Sequence, residues 1–470
     1  MTQEQEKQLL QAIYDRLYDA ITYQPGGGKN PFTDDETFIH FCKNAAINPD
    51  SFDDPRTPSN PLGSLTASEE FARMVDKVSP LSLEWENTND SLSFAYKSIV
   101  NSANATTEPD EKAKEMYEKA YNYLHPEVTT KNPFTGEEVT ERTDSPEYVA
   151  YEANMSDYIV ATQAYRIAYN QYLDDLSDKD PETKKRAERD WQAKAPLLEN
   201  NIKSSFRKLE TINAKYVEQA LRILETTIND GIRQALSSAM EAVRDDHHFS
   251  SSLGFPDKWL FSYPVPSDWT KDGCKGFTEL NIKGSQTDIH NESTVHKFSV
   301  DSSFQYGLWR VKVGSSGDFE HSSSSSDKDS IEIQAKIAKV SIERPWFMES
   351  IFRLSNWTTD VAKGEGQISN GKIDSTNRGH VIPMYPVAFI VAKDIVIKAN
   401  FSHEDEEHIK QSMQANTSVG WGPFSISGSY SYGHSSDNFH SDYEDSEIRI
   451  PGMQIIGWVS RVIPYSTKSK

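Results

Sequence analysis

The sequence predicts an α+β multidomain chain, with an elongated helical bundle and a long helical hairpin over residues 1–248, then an all-β, sandwich-like domain over residues 255–470. Apolar residues recur at the helical period of about 3.6 up to residue 248 and alternate with a period of two after it. The length of 470 residues exceeds one ordinary core. A composition of 36% hydrophobic and 26% charged residues belongs to a soluble chain able to bury its own interior.

The helical half is legible from its caps and stripes. Thr2 and Gln5 have capping-box spacing ahead of Leu9, Leu10, Ile13, Leu17 and Ile21, which places a helix over 3–22. Thr66 and Glu69 repeat the device before Phe71, Met74, Val75 and Val78, giving 66–78. Further helices are expected over 90–102, 109–124, 146–176 and 180–194. Pro109 and Pro146 sit in first turns, where a missing N–H costs little, and Ser145 serves as an N-cap. The last stripe, Leu198, Ile202, Phe206, Leu209, Tyr216, Ala220, Leu224, Ile228, Ala235, Ala239 and Val243, reads as one rod of roughly 70 Å, bent if anywhere at Gly231. Packed antiparallel on 146–176, it would form a long hairpin that buries its stripe on itself or on a neighbouring copy.

In the second half, Phe298, Val300, Phe304, Tyr306 and Leu308 alternate with Ser299, Asp301, Ser303, Gln305 and Gly307. Ile331, Ile333, Ala335 and Ile337 alternate with polar residues, and Ile395, Ile397, Ala399 and Phe401 do the same. Val387 to Ala392 is apolar throughout, as in a strand covered on both faces. Near the end, Phe424, Ile426, Tyr430 and Tyr432 share one face, and Ser425, Ser427, Ser429 and Ser431 share the other.

Residues 298–313 and 419–432 therefore open two similar units. Each is an amphipathic strand, a long loop of Ser, His and Asp, and a returning strand. Their apolar faces have three possible partners: the chain's own core, a second copy paired edge to edge, or lipid. In the last case the charged loops would have to cross the bilayer, at about 2.5 kcal/mol or more per central charge on insertion scales. The order of a helical half and a β-rich half resembles crystal-forming insecticidal toxins in architecture alone. None of their block motifs occurs here, and no residue role follows from the likeness.

Chemistry is sparse. Gly26-Gly27-Gly28-Lys29-Asn30 lacks the upstream Gly and following Ser or Thr of a phosphate loop and reads as a turn. There is no GxSxG and no CxxC. His403 and His408 are five apart, with Glu407 where a zinc-protease helix needs its second His, so the segment reads as an acidic turn. Asp245, Asp246, His247 and His248 suit a helix C-terminus. The loop with Asp437, Asp442, Glu444 and Asp445 offers oxygen ligands to a divalent cation but not EF-hand spacing. Cys42 and Cys274 fall in different predicted domains, which argues against a disulfide framework.

A net charge of -22 disfavours nucleic acid and an anionic lipid surface. The first residues form a charged helix instead of a signal peptide, and no apolar run reaches transmembrane length. The expectation is a non-enzymatic structural or interaction protein, cytoplasmic or released without a signal peptide. It needs no cofactor and self-associates into an oligomer or filament through the helical hairpin or the serine-faced strands. The alternative is a soluble pore former that inserts those strands into membranes.

Overall fold

The computed structural model describes the chain except residues 23–36, 43–44, 59, 61, 86–87, 89, 106–110, 132, 135, 137, 178–179, 212–213, 227–229, 245–258, 275, 287–306, 313–318, 356, 415–416, 433–437 and 468–470. The Thr2–Gln5 box forms, with Thr2 N donating to Gln5 Oε1 at 2.8 Å and Gln5 N to Thr2 Oγ1 at 3.3 Å. It opens α1 (Gln3–Thr22), which is followed by the short strands β1 (Thr37–Phe41) and β2 (Ala46–Ile47). Ser64 and Ser91 cap α2 (Leu65–Val75) and α3 (Leu92–Asn101) by accepting from Ala67 N and Phe94 N. Next come β3 (Ala103–Ala105), α4 (Glu111–Leu124) and the exposed ribbon of β4 (Glu127–Lys131) and β5 (Glu138–Arg142). Four helices close this half: α5 (Pro146–Ser177), α6 (Pro181–Thr211), α7 (Ala214–Thr226) and α8 (Asp230–Ala242).

The second half contributes β6 (Tyr263–Val265), β7 (Thr278–Lys283), β8 (Trp309–Lys312), β9 (Phe319–Ser322), β10 (Glu332–Glu343), β11 (Trp357–Thr359) and β12 (Met384–Lys398). One helix, α9 (His403–Ser412), precedes β13 (Val419–Trp421), β14 (Phe424–Ser429), β15 (Asn438–His440), β16 (Asp442–Glu444) and β17 (Glu447–Val462). The three long strands β10, β12 and β17 are the spine of an antiparallel eight-stranded sheet ordered β1-β17-β12-β10-β6. Strands β16 and β2 also lie on β17, and β7 lies on β10. A five-stranded sheet runs β15-β14-β13-β8-β9.

Three apolar clusters organise these layers. One joins the two sheets and α1 through residues such as Leu10, Ile13, Ile390, Val459 and Trp421. A second holds α3, α4, α7 and α8 around Trp346 and Trp357. A third covers the opposite face of the large sheet with Phe71 and Val75 of α2, Phe52 and Trp269.

The α+β class stands, with helices and antiparallel sheets both prominent. The large sheet takes strands from both sides of residue 248, since β1 pairs with β17 from Thr37↔Arg461 to Phe41↔Gly457. The stripe expected as one rod over 198–243 is described as the end of α6, α7 and α8, with residues 212–213 and 227–229 between them outside the described residues. On α7 and α8, Val217, Ala220, Leu224, Ala235 and Ala239 are buried in the cluster that includes α4. The helix packed along α5 is α6, which runs through Pro196. The expected acidic turn at 403–410 is helix α9, started by a full capping box of Ser402 and Asp405.

Candidate functional site

The opening strands of the two serine-rich units lie side by side, since β8 pairs with β13 from Trp309↔Trp421 to Val311↔Val419. Neither pairs with its expected returning strand, because β10 and β17 form the spine of the other sheet while β8 takes β9 and β14 takes β15. Leu308, Phe424 and Ile426 have no exposed surface and sit in the core between the sheets. The serine face is covered at Ser425 and Ser427, whereas Ser429 and Ser431 are exposed. Ser425 N donates to Gln454 Oε1 at 2.6 Å, Ser425 Oγ accepts from Ala45 N at 3.2 Å, and Ser427 Oγ donates to Thr417 O at 2.9 Å. Tyr430 is half-buried against Phe439 and Tyr432 against Trp458. Phe298, Val300, Phe304 and Tyr306 lie outside the described residues, as do Gly26 to Lys29, Asp245 to His248 and Asp437. Among the described residues no group of three or more His, Cys, Asp or Glu side chains is placed to hold a metal ion. His408 is engaged structurally, hydrogen-bonded to Ser322 Oγ at 3.0 Å and stacked on Trp309.

The helical hairpin is packed in a different way. Helices α5 and α6 are 32 and 31 residues long, yet Ala187 is their sole fully buried hydrophobic residue among those described. Their other buried side chains are Thr162, Gln163 and Ser205. The pair is held to itself by Trp191 of α6, stacked on Tyr172 and edge-on to Tyr165, and by a half-exposed ion pair from Lys208 to Asp157 at 2.8 Å. Towards the body, the described apolar groups that make contact are partly buried: Tyr148 and Tyr151 at the helical core and Ile167 at the sheet core. At 100° per residue, Tyr151 and Met155 lie roughly opposite Val149, Val160 and Ile167, so α5 is apolar on more than one side. All five of these residues are half-buried.

Between the hairpin and the sheet lies a cleft of about 780 Å³, bounded by Val149, Ser156 and Val160 of α5, Ser205 of α6, and the stretch from Tyr263 to Asp268. A second cavity of about 450 Å³ adjoins it, lined by His125, Asp144, Tyr148, Arg344, Glu349 and Arg461. Glu152, Tyr263 and Glu343 line both.

Glu152 of α5 and Glu343 at the end of β10 thus meet in the wall between two cavities. Burial raises the Glu152 carboxyl to about 8, reinforced by Glu343 and Asp144 and opposed by a hydrogen bond from the Tyr148 hydroxyl. Burial also raises Glu343, against the pull of Arg344 and Lys339. Lys339, on the same strand, is pushed down to about 7 by burial and by Arg461, with Glu343 opposing. Glu349 behaves oppositely: burial would raise it, but Arg461, Tyr385 and Arg353 hold it below the usual range. One carboxyl held up near another held down is an electrostatic pattern shared by acid–base sites and structural ion networks. The second description fits, because Glu349 accepts from Arg461 at 2.9 Å, Arg353 at 3.2 Å and Tyr385 at 2.5 Å, and so ties its 3₁₀ turn to the sheet.

Sequence reasoning missed this pair. Glu343 ends an alternating strand and reads as one more solvated charge, since the helix that covers it lies far upstream. The one signal was Glu152 itself, an acid set among Tyr148, Tyr151 and Met155. No family model, curated protein or solved structure matches the chain.

Proposed function

We propose that this is a non-enzymatic assembly protein whose working element is the α5–α6 hairpin, and that the hairpin completes its burial against a second copy. The observation that carries this reading is that, among the described residues of two long helices, one of which is apolar on more than one side, Ala187 alone is a fully buried apolar side chain. Burial is worth about 25 cal/mol per Å² of apolar surface, so an uncovered amphipathic hairpin retains a strong drive to find a partner. A neighbouring hairpin supplies matching half-buried tyrosines, valines and alanines, and isologous pairing makes each surface its own complement.

The test is light scattering on size-separated protein across a concentration series. Mass should rise with concentration, and Met155→Lys, which puts a charge on the half-buried α5 surface, should return it to that of one chain. A strict monomer at all concentrations would remove the reading.

Insertion of the serine-faced hairpins into membranes is the second reading. It would require Leu308, Phe424 and Ile426 to leave the core between the sheets, at about 1.5–3 kcal/mol for each large side chain. Dye release from liposomes, or its absence across lipid compositions, decides this reading.

A further inference from the structure

Among the described residues Ile167 carries the hairpin's apolar contact with the sheet core, and Glu152 of α5 and Glu343 of β10 share the wall between the two cavities. We propose that these two carboxyls form a proton-controlled latch: a proton held on the pair keeps the hairpin down, and ionisation of both drives α5 and α6 off the sheet. This rests on the reading of the hairpin as the assembly element and adds its regulation.

The hydrogen bonds of the surrounding charged groups go elsewhere. Arg344 donates to Pro386 O at 2.6 Å and Val75 O at 2.8 Å, Arg461 donates to Glu349, and Lys208 of α6 pairs with Asp157. His125, at the end of α4, is bonded to Asp144 at 2.8 Å. Asp144 and Asp268 add negative charge at the rim, and the hydroxyls of Tyr148 and Tyr263 face the pair with protons that burial holds on firmly. Arg344, which stays charged, and Lys339, which is pushed down to about 7, both pull on Glu343. One such cation beside two buried carboxyls leaves a second negative charge for a proton to neutralise, and two ionised carboxyls in a buried wall repel strongly.

The sign follows from linkage. With both pKa values raised, the docked hairpin binds more protons than the released one from the ordinary carboxylate range up to about 8. Docking is tightest below that window and weakens as pH rises through it, by at most about tenfold per pH unit for each proton.

Hydrogen exchange on the full chain tests this. Between about pH 5.5 and about pH 8.5, after correction for intrinsic exchange, the opening equilibrium of α5 and α6 should rise about tenfold or more, with α4 unchanged. Glu152→Gln stays neutral throughout and should flatten the dependence, and Glu343→Gln should do the same from the sheet side. A pH-independent wild-type opening overturns the latch, and so does an unaltered slope in both variants. Light scattering on the same samples separates the two ideas. A hairpin that opens with pH in a protein that stays monomeric supports the latch and removes assembly, whereas assembly with a pH-insensitive hairpin does the reverse.

Discussion

Asp405 shows how one buried carboxylate can turn a run of serines into structure. It has no exposed surface at the start of α9 and accepts from Trp309 Nε1 at 2.6 Å, Ser324 Oγ at 2.9 Å, Ser402 Oγ at 2.9 Å and the Ser326 hydroxyl. Burial would raise its pKa, but these hydrogen bonds outweigh burial and hold it below the aspartate range. Asp405→Ala would leave several buried donors without an acceptor and should cost about 2–4 kcal/mol in urea unfolding. Because the folded pKa is depressed, the stabilisation is present above about pH 3.9 and fades as pH falls through the folded value. The stability gap between the wild type and Asp405→Asn should therefore close in acid, and a gap that stays constant to low pH would contradict this account. From the sequence, "HSSSSSD" is a solvated loop. Nothing in it shows that Ser324 and Ser326 turn inward while Ser323 and Ser325 stay exposed, because their acceptor lies about eighty residues downstream.

Among the elements, α6 carries the sharpest local conflict. Pro196 stands inside it, where it offers no N–H to the preceding turn. Pro196→Ala should raise the local stability of α6 by about 1–3 kcal/mol, seen as slower amide exchange across its second half, and leave the global unfolding midpoint unmoved. A shifted midpoint with unchanged α6 exchange would show that the proline acts elsewhere. The same proline is why the sequence reads as two helices, ending at 194 and restarting at 198, where the structure has one. Helices with a single stripe, such as α1, α2 and α3, were legible to within a few residues, because the stripe is a local signal. Of the two capping boxes expected, Thr2–Gln5 forms, whereas α2 is capped by Ser64 and holds Thr66 inside the helix. Strand β1, five residues buried along its whole length, gives no alternation to read. Strand β14 gives a clear alternation, but the hydroxyls of Ser425 and Ser427 on its polar face are buried against Ala45 N and Thr417 O instead of meeting water. Local pattern thus located the elements, and long-range packing decided which of their faces were covered.

At the scale of the whole molecule, a hairpin whose described residues include one fully buried apolar side chain is attached to a body with three apolar clusters, so stability is unevenly distributed. The closure of the large sheet by β1 on β17 brings residues from the two ends of the chain together. His40 Nε2 and Ser460 Oγ are hydrogen-bonded at 2.8 Å and are 420 residues apart. At synthesis rates of about 5–20 residues per second, β1 leaves the ribosome roughly 20–80 s before its neighbour exists. During that interval the apolar stripe of α1 and the segment Thr37–Phe41 lack their mates, which makes the nascent chain a substrate for holding chaperones. Ribosome-stalled chains that end before Glu447 should be cut by protease within Thr37–Phe41, and released full-length protein should resist. Protection in the stalled chains would show that the early segment finds shelter without waiting for translation to finish.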